Sequence, residues 1–229
     1  MKDLKSLEKL IGIRFKDKHL LKNAFVHRSY LNEHKDFGML SNEKLEFLGD
    51  SVLSLITSVY LYKKYAQMQE GDYTEIKSSI VKTGSLALAA EELHLGDYLY
   101  LSKGEDASGG RKNKNILADA FEALIASIFI DQGFNRAYFF VVKFLFKNRL
   151  DLLIAKNLYA SSKSKLQEVA QAKFKTAPTY QILEAKGPEH KRIFKIGVYL
   201  KEEKKGEGVG FSKKEAEEAA AQKALEKLV

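Results

Sequence analysis

Both prolines of this 229-residue chain, Pro178 and Pro188, fall near its end, and nothing upstream of Tyr159 interrupts a helix in that way. A proline inside a helix removes a backbone hydrogen bond and clashes with the preceding turn. The first two thirds of the chain are therefore free to be helical. Apolar residues there recur at i, i+3 and i+4, the mark of helices with one buried face. The spacing predicts helices over "LKSLEKLIGI", "KHLLKNAFVHRSYL", "NEKLEFLGDSVLSLITSVYLY", "EIKSSIVKTGSLALAAEEL", "NILADAFEALIASIFI" and "AYFFVVKFLFKNRLDLLI". Polar or glycine-bearing connectors separate them, most clearly "SKGEDASGGRKNK".

The periodicity lapses around "KNLYASSKS", which reads as a short linker. Beyond it "SKLQEVAQAKF" is a helix and "PTYQILEAKG" a strand. "IFKIGVYL" alternates, with Phe194, Ile196, Val198 and Leu200 on one side, a period of two. The glycine-rich "GEGVG" precedes a strong helix, "SKKEAEEAAAQKALEKL", where Ser212 and Glu215 have capping-box spacing. The chain thus divides into an all-α domain over residues 1–155, a linker over 156–161, and a small α+β domain over 162–229. The tail reads α-β-β-β-α, its third strand the least marked.

There is no cysteine, so disulfides and thiolate metal sites are excluded, which fits a reducing cytoplasm. The charged start "MKDLKSLEKL" lacks the apolar core of a signal peptide. Charges interrupt runs such as "AYFFVVKFLF" well before the roughly 18 residues of a membrane span, so no membrane association is expected. A net charge of +8 points to a polyanionic partner. Its placement says more: residues 160–229 hold 15 Lys+Arg against 10 Asp+Glu, a surplus of +5, and the longer remainder only +3.

Acids are placed more selectively. At about 100° per residue, Glu43, Glu46 and Asp50 fall within roughly a 60° arc of one helix, while Leu45, Leu48, Val52 and Leu53 occupy its other faces. Like charges at that spacing repel, and a divalent cation would offset the repulsion. The second apolar helix repeats the device with Asp119 and Glu122 at i and i+3, among Ile116, Leu117, Phe121, Leu124 and Ile125. If the two helices pack together, Glu46, Asp50, Asp119 and Glu122 converge into an oxygen-only site suited to Mg²⁺ or Mn²⁺. A plainer reading stands beside it: thirty acids make some such pairs by chance, and acids near a helix start complement its dipole.

"NEKLEFLGDSVL" closely resembles the signature of bacterial ribonuclease III, and "ILADAFEALIASIFID" resembles that family's second catalytic segment. "LLKNAFVHRSY" and the approach "GGRKNKNILADAFEAL" extend the likeness along nearly the whole chain. The resemblance implies a Mg²⁺-dependent endoribonuclease, with Mn²⁺ able to substitute, that hydrolyses double-stranded RNA to 5′-phosphate and 3′-hydroxyl ends. It implies Glu46, Asp119 and Glu122 as metal ligands, and Asp50 and Glu122 as the residues most directly needed for cleavage. Glu43 corresponds to a further acid of the cleft. The family processes ribosomal and messenger precursors as a homodimer, one active centre cutting each strand, with no small-molecule cofactor. In it, the aromatic at Phe47 lies at the subunit contact, although by periodicity alone Phe47 reads as core. Asp72 and Lys77 stand where the family often has Glu and Arg, which shortens an acidic arm and removes a planar fork.

The tail resembles that family's double-stranded RNA-binding domain, through "SKLQEVAQ", "GPEHKRIF" and "GFSKKEAEEAAAQKAL". A-form RNA is recognised by shape, 2′-hydroxyls and phosphates, which Gln167 and Glu168 on a helix and His190 on a turn are expected to contact. Lys213 and Lys214 begin a helix, where cations oppose the dipole but help the free N–H groups hold a phosphate. His27, beside Arg28, reads as structural. Two rivals remain at this level: a non-catalytic RNA-binding protein on a dead nuclease fold, and a metal enzyme for a small phosphorylated substrate. The first would have lost carboxylates, and the second leaves the basic tail unexplained.

Overall fold

The computed structural model describes residues 2–147, 149–188 and 191–228. The chain forms two compact units, Met1–Lys156 and Asn157–Val229. The first is helical: α1 (Leu4–Ile11), α2 (Lys18–Asn23), α3 (Arg28–Glu33), α4 (Glu43–Lys64), α5 (Glu70–Ile80) and α6 (Thr83–Glu92) are followed by α7 (Lys103–Ala107), α8 (Lys114–Gln132), α9 (Phe134–Val141) and α10 (Arg149–Ala155). Helix α8 is the hub, with Phe121, Leu124, Ile125, Ala126 and Ile128 fully buried. Helix α4 crosses it at Gly49, where an added Cβ would sit 2.0 Å from the carbonyl oxygen of Glu122. By length and composition alone α4 could cross a membrane; its buried face and its leading carboxylates make it a core helix of this unit.

Three of the predicted helices are broken, and tertiary hydrogen bonds or backbone turns break them. In "KHLLKNAFVHRSYL" the chain leaves α2 so that Phe25 O accepts from Tyr100 N at 2.9 Å and His27 N donates to Tyr100 O at 3.2 Å. Val26 O takes the N–H of Asn42 at 2.8 Å, which pins the start of α4. In "EIKSSIVKTGSLALAAEEL" Lys82 is extended (φ −65°, ψ 149°), and α6 turns its Leu86, Ala87, Ala89 and Ala90 into the core. In "AYFFVVKFLFKNRLDLLI" a wide turn at Val142–Phe146 ends at Lys147, whose N–H returns to Val142 O. The far end of α8 is stapled to the N-terminal segment. The Asp131 carboxylate accepts from the backbone of Lys16 and Asp17 at 3.0 and 2.9 Å, and Gln132 Nε2 donates to Arg14 O at 2.9 Å.

The second unit is α11 (Ser162–Phe174), an antiparallel sheet β1 (Pro178–Lys186), β2 (Ile193–Leu200) and β3 (Glu203–Gly210) in that order, and α12 (Lys213–Leu228). The order α-β-β-β-α is as expected. Strand β2 buries Ile196, Val198 and Leu200, and Leu166, Val198, Ala220, Ala221 and Ala224 form the core with the helices. "GEGVG" lies inside β3. Gly206, Gly208 and Gly210 alternate onto the face under α12, where added Cβ atoms would meet Ala220 O at 2.3 Å, Ala220 N at 2.2 Å and Ala216 N at 2.6 Å. A stripe of Ala216, Ala220 and Ala224 lies against them. Ser212 Oγ accepts from Glu215 N at 3.1 Å, while the Glu215 carboxylate reaches one residue further back than a capping box requires, to Phe211 N at 2.8 Å.

Candidate active site and RNA-binding surface

The α4–α8 crossing brings the two acidic devices together. One carboxylate oxygen from each of Glu46, Asp119 and Glu122 lies within 4.8 Å of the others, and all three side chains are half-buried. Gly49 permits this: it sits between Glu46 and Asp50 on α4, and its missing side chain lets the backbone of Glu122 approach. At the start of α4, Asn42 makes no side-chain cap. Its Nδ2 donates to Ala24 O at 3.2 Å instead, and the first-turn acids Glu43 and Glu46 complement the helix dipole.

The electrostatics of the cluster are unfavourable without a counter-charge. Burial, reinforced by Asp50, Glu46 and Asp119, pushes the Glu122 carboxyl up to about 8. Burial first, then Asp119, Glu43 and Asp50, raises Glu46, and burial raises Asp119. Three converging carboxylates whose ionised forms are disfavoured are a fitting donor set for a hard divalent cation. Asp50 is exposed and lies outside the group of three, yet its charge acts on both Glu46 and Glu122. Glu43 is drawn elsewhere: Ser41 Oγ donates to it at 2.6 Å, and Arg28 Nη1 is 3.7 Å away.

A polar cleft of about 580 Å³ adjoins the cluster, lined among others by His27, Arg28, Asn32, Glu43, Glu46 and Asp119. His27 is thus a cleft residue, which the sequence reading missed because it took residues 18–31 as one unbroken helix. Phe47 is not core: it is 79% exposed. Asp72 closes a capping box on α5 by accepting from Gln69 N at 3.1 Å, and Lys77 Nζ donates to Ser58 Oγ at 3.3 Å. In the second unit Gln167 and Glu168 are exposed on α11. Lys213 and Lys214 are exposed in the first turn of α12. His190 lies outside the described residues.

Residues 17–149 match the family model described as Ribonuclease-III-like. The chain belongs to the ribonuclease III family. Residues 162–228 match the double-stranded RNA binding motif, so the α-β-β-β-α unit is the RNA-binding module of this family member. Ribonuclease 3 of Treponema denticola is 44% identical over 226 residues, spanning 99% of this chain and 91% of that protein. Ribonuclease 3 of Dehalococcoides mccartyi is 42% identical over 228 residues, covering 100% and 96%. A crystal structure of the ribonuclease III nuclease domain from Campylobacter jejuni superposes with a TM-score of 0.59 at 38% identity, over 65% of this chain and 97% of that one. A second structure of that domain, described for flexibility in a region involved in dimer formation, gives the same TM-score at 37% identity over 64% and 99%. As a ribonuclease III, this chain is a double-strand-specific endoribonuclease of a metal-dependent family.

Proposed function

We propose that the chain hydrolyses double-stranded RNA with Mg²⁺, or Mn²⁺ in its place, held by Glu46, Asp119 and Glu122. The observation that carries this reading is the convergence of those three carboxylates within 4.8 Å, with Glu122 pushed up to about 8. When bound there, such an ion lowers the pKa of coordinated water and polarises a phosphodiester oxygen. Asp50, exposed beside the cluster, orients the attacking water by accepting its hydrogen bond. With water as nucleophile, cleavage leaves a 5′-phosphate and a 3′-hydroxyl.

The basic module holds the duplex. Gln167 and Glu168 reach 2′-hydroxyls in a minor groove, His190 reaches the next groove, and Lys213 and Lys214 with the free N–H groups of α12 bind phosphate. An exposed apolar stripe on α4, Phe47 at 79%, Leu55 at 54% and Tyr62 at 75%, supports a homodimer in which Phe47 is a contact. Two copies then cut opposite strands with an offset, leaving 3′ overhangs. Structured ribosomal and messenger precursors in the cytoplasm are the proposed substrates.

The test is cleavage of a long RNA duplex with Mg²⁺, Ca²⁺ or EDTA, with Glu122→Gln beside the parent. The expected result is cutting by the parent alone and with Mg²⁺ alone, while the variant still binds. Cutting by the variant at the parental rate, or products ending in 2′,3′-cyclic phosphate, would overturn the mechanism.

A further inference from the structure

His27 caps α3, and the cap fixes its tautomer. Its Nδ1 accepts the backbone N–H of Ser29 at 3.3 Å and lies 2.8 Å from Ser29 Oγ. Ser29 Oγ in turn accepts the backbone N–H of Ser102 at 3.1 Å, so its own proton is available to Nδ1. With Nδ1 serving only as an acceptor, a neutral imidazole carries its proton on Nε2. Burial lowers the pKa of the ring and keeps it neutral. Nδ1 is thus committed to the α3 side, and no partner for Nε2 occurs among the described residues.

His27 also borders the polar cleft, whose walls include Glu46 and Asp119 of the carboxylate cluster. Those walls are rich in acceptors, with Glu43 and Glu105 adding two more carboxylates. A strand of RNA reaching the cluster brings further acceptors; Arg28 and several asparagines line the cleft as donors, and His27 adds a ring N–H beside them. That N–H is neutral, so it donates without adding charge.

We propose that His27 Nε2–H donates a hydrogen bond to an RNA backbone oxygen at the nucleotide beside the carboxylate site. The oxygen is a 2′-hydroxyl or a non-bridging phosphate oxygen. This rests on the nuclease reading above and assigns that site a substrate contact independent of the metal ligands. His27 is then both a helix cap and a substrate-binding residue, and the two duties use different nitrogens.

Two substitutions separate the duties in the full-length protein. His27→Asn retains a good capping side chain but nothing at the Nε2 position. His27→Gln places an amide N–H near that position and weakens the cap. For His27→Asn the expected outcome is a parental melting temperature, duplex binding in Ca²⁺ weakened by up to about tenfold, and single-turnover cleavage in Mg²⁺ slowed about 10- to 100-fold, as for loss of one hydrogen bond to a polar or charged group. For His27→Gln the melting temperature should fall by about 3 °C, with cleavage roughly tenfold faster than that of the Asn variant.

Cleavage that follows the melting temperature, with Asn cutting like the parent and Gln impaired, would overturn the proposal and leave His27 a cap only. Equal loss in both variants would overturn the assignment to Nε2–H. Duplexes with single 2′-deoxy nucleotides flanking the cut identify the oxygen. A penalty in the parent that vanishes in His27→Asn marks a 2′-hydroxyl, and an equal penalty in both marks phosphate. If the nuclease reading itself were wrong, the parent would not cut at all, so the two failures are distinguishable.

Discussion

The two units use glycine for the same purpose, close approach of backbone to backbone, yet to opposite effect. In the catalytic unit one glycine, Gly49, lets α4 and α8 touch, and that contact forces half-buried carboxylates together. In the RNA-binding unit Gly206, Gly208 and Gly210 seat α12 on the sheet, and the groups proposed to touch RNA stay at the surface. Burial perturbs the acids of the first unit. In the second, the sheet's Lys195, Glu207 and Lys204 pair in the open. The catalytic site therefore draws on the stability of its own unit, and the binding surface draws on little. Buried like charges persist only where packing holds them and a ligand relieves them.

The largest break in that comparison comes from the glycines. Gly49→Ala should lower Mg²⁺-dependent cleavage about 100-fold or more by displacing α8 relative to α4, and cost about 1–3 kcal/mol in denaturant unfolding. Gly208→Ala should instead weaken duplex binding and leave cleavage at saturating RNA near the parental rate. If Gly49→Ala cleaves normally, the crossing does not set the carboxylate geometry.

Next is the stability of the metal-free protein. The Glu122 carboxyl titrates near 8 when folded against about 4.3 when unfolded, so the folded state holds the extra proton between those values. Stability should fall as pH rises through that window. Each pKa unit corresponds to about 1.4 kcal/mol, and partial solvent exposure of the site reduces the total to roughly 2 kcal/mol. Thermal melts from pH 5 to 8 in EDTA should show the decline, and Glu122→Gln or added Mg²⁺ should remove most of it. A flat profile in EDTA would show that the carboxylates are not strained.

A smaller effect belongs to the lysines. Lys213→Ala with Lys214→Ala should weaken binding to duplexes of any sequence and lower the slope of log K against log salt by about 1 for each lost phosphate contact. An unchanged slope would remove both from the interface. Smallest is Glu207, a partly exposed carboxylate held at about 2 by Lys195 and then Lys204. Its contribution is present above the ordinary carboxylate range and is lost only as pH falls toward 2. Glu207→Gln should leave the neutral-pH melt unchanged, since exposed pairs contribute little.

Much of this was legible in the sequence. Helices α4 and α8 announce themselves by period and by the confinement of their acids to one arc, and the register of β2 follows from its alternation. The missed features share a physical cause, because each depends on a distant partner. The chain leaves α2 without proline or glycine, for hydrogen bonds to Tyr100 and Asn42, so His27 looked like one more helical residue. Strand β3 looked like a connector because glycine is a poor strand former, and only the alanine stripe of α12 explains its glycines. Phe47 looked like core because spacing reports a helix face and not what covers it.

The staple between Asp131, Gln132 and residues 14–17 also has a kinetic meaning. It closes a loop of more than a hundred residues, whereas the β1-β2-β3 meander joins consecutive neighbours. Loops of that length close late, and local pairings form early. A chain diluted from denaturant should therefore regain its grip on duplex RNA first and its ability to cut it only afterwards.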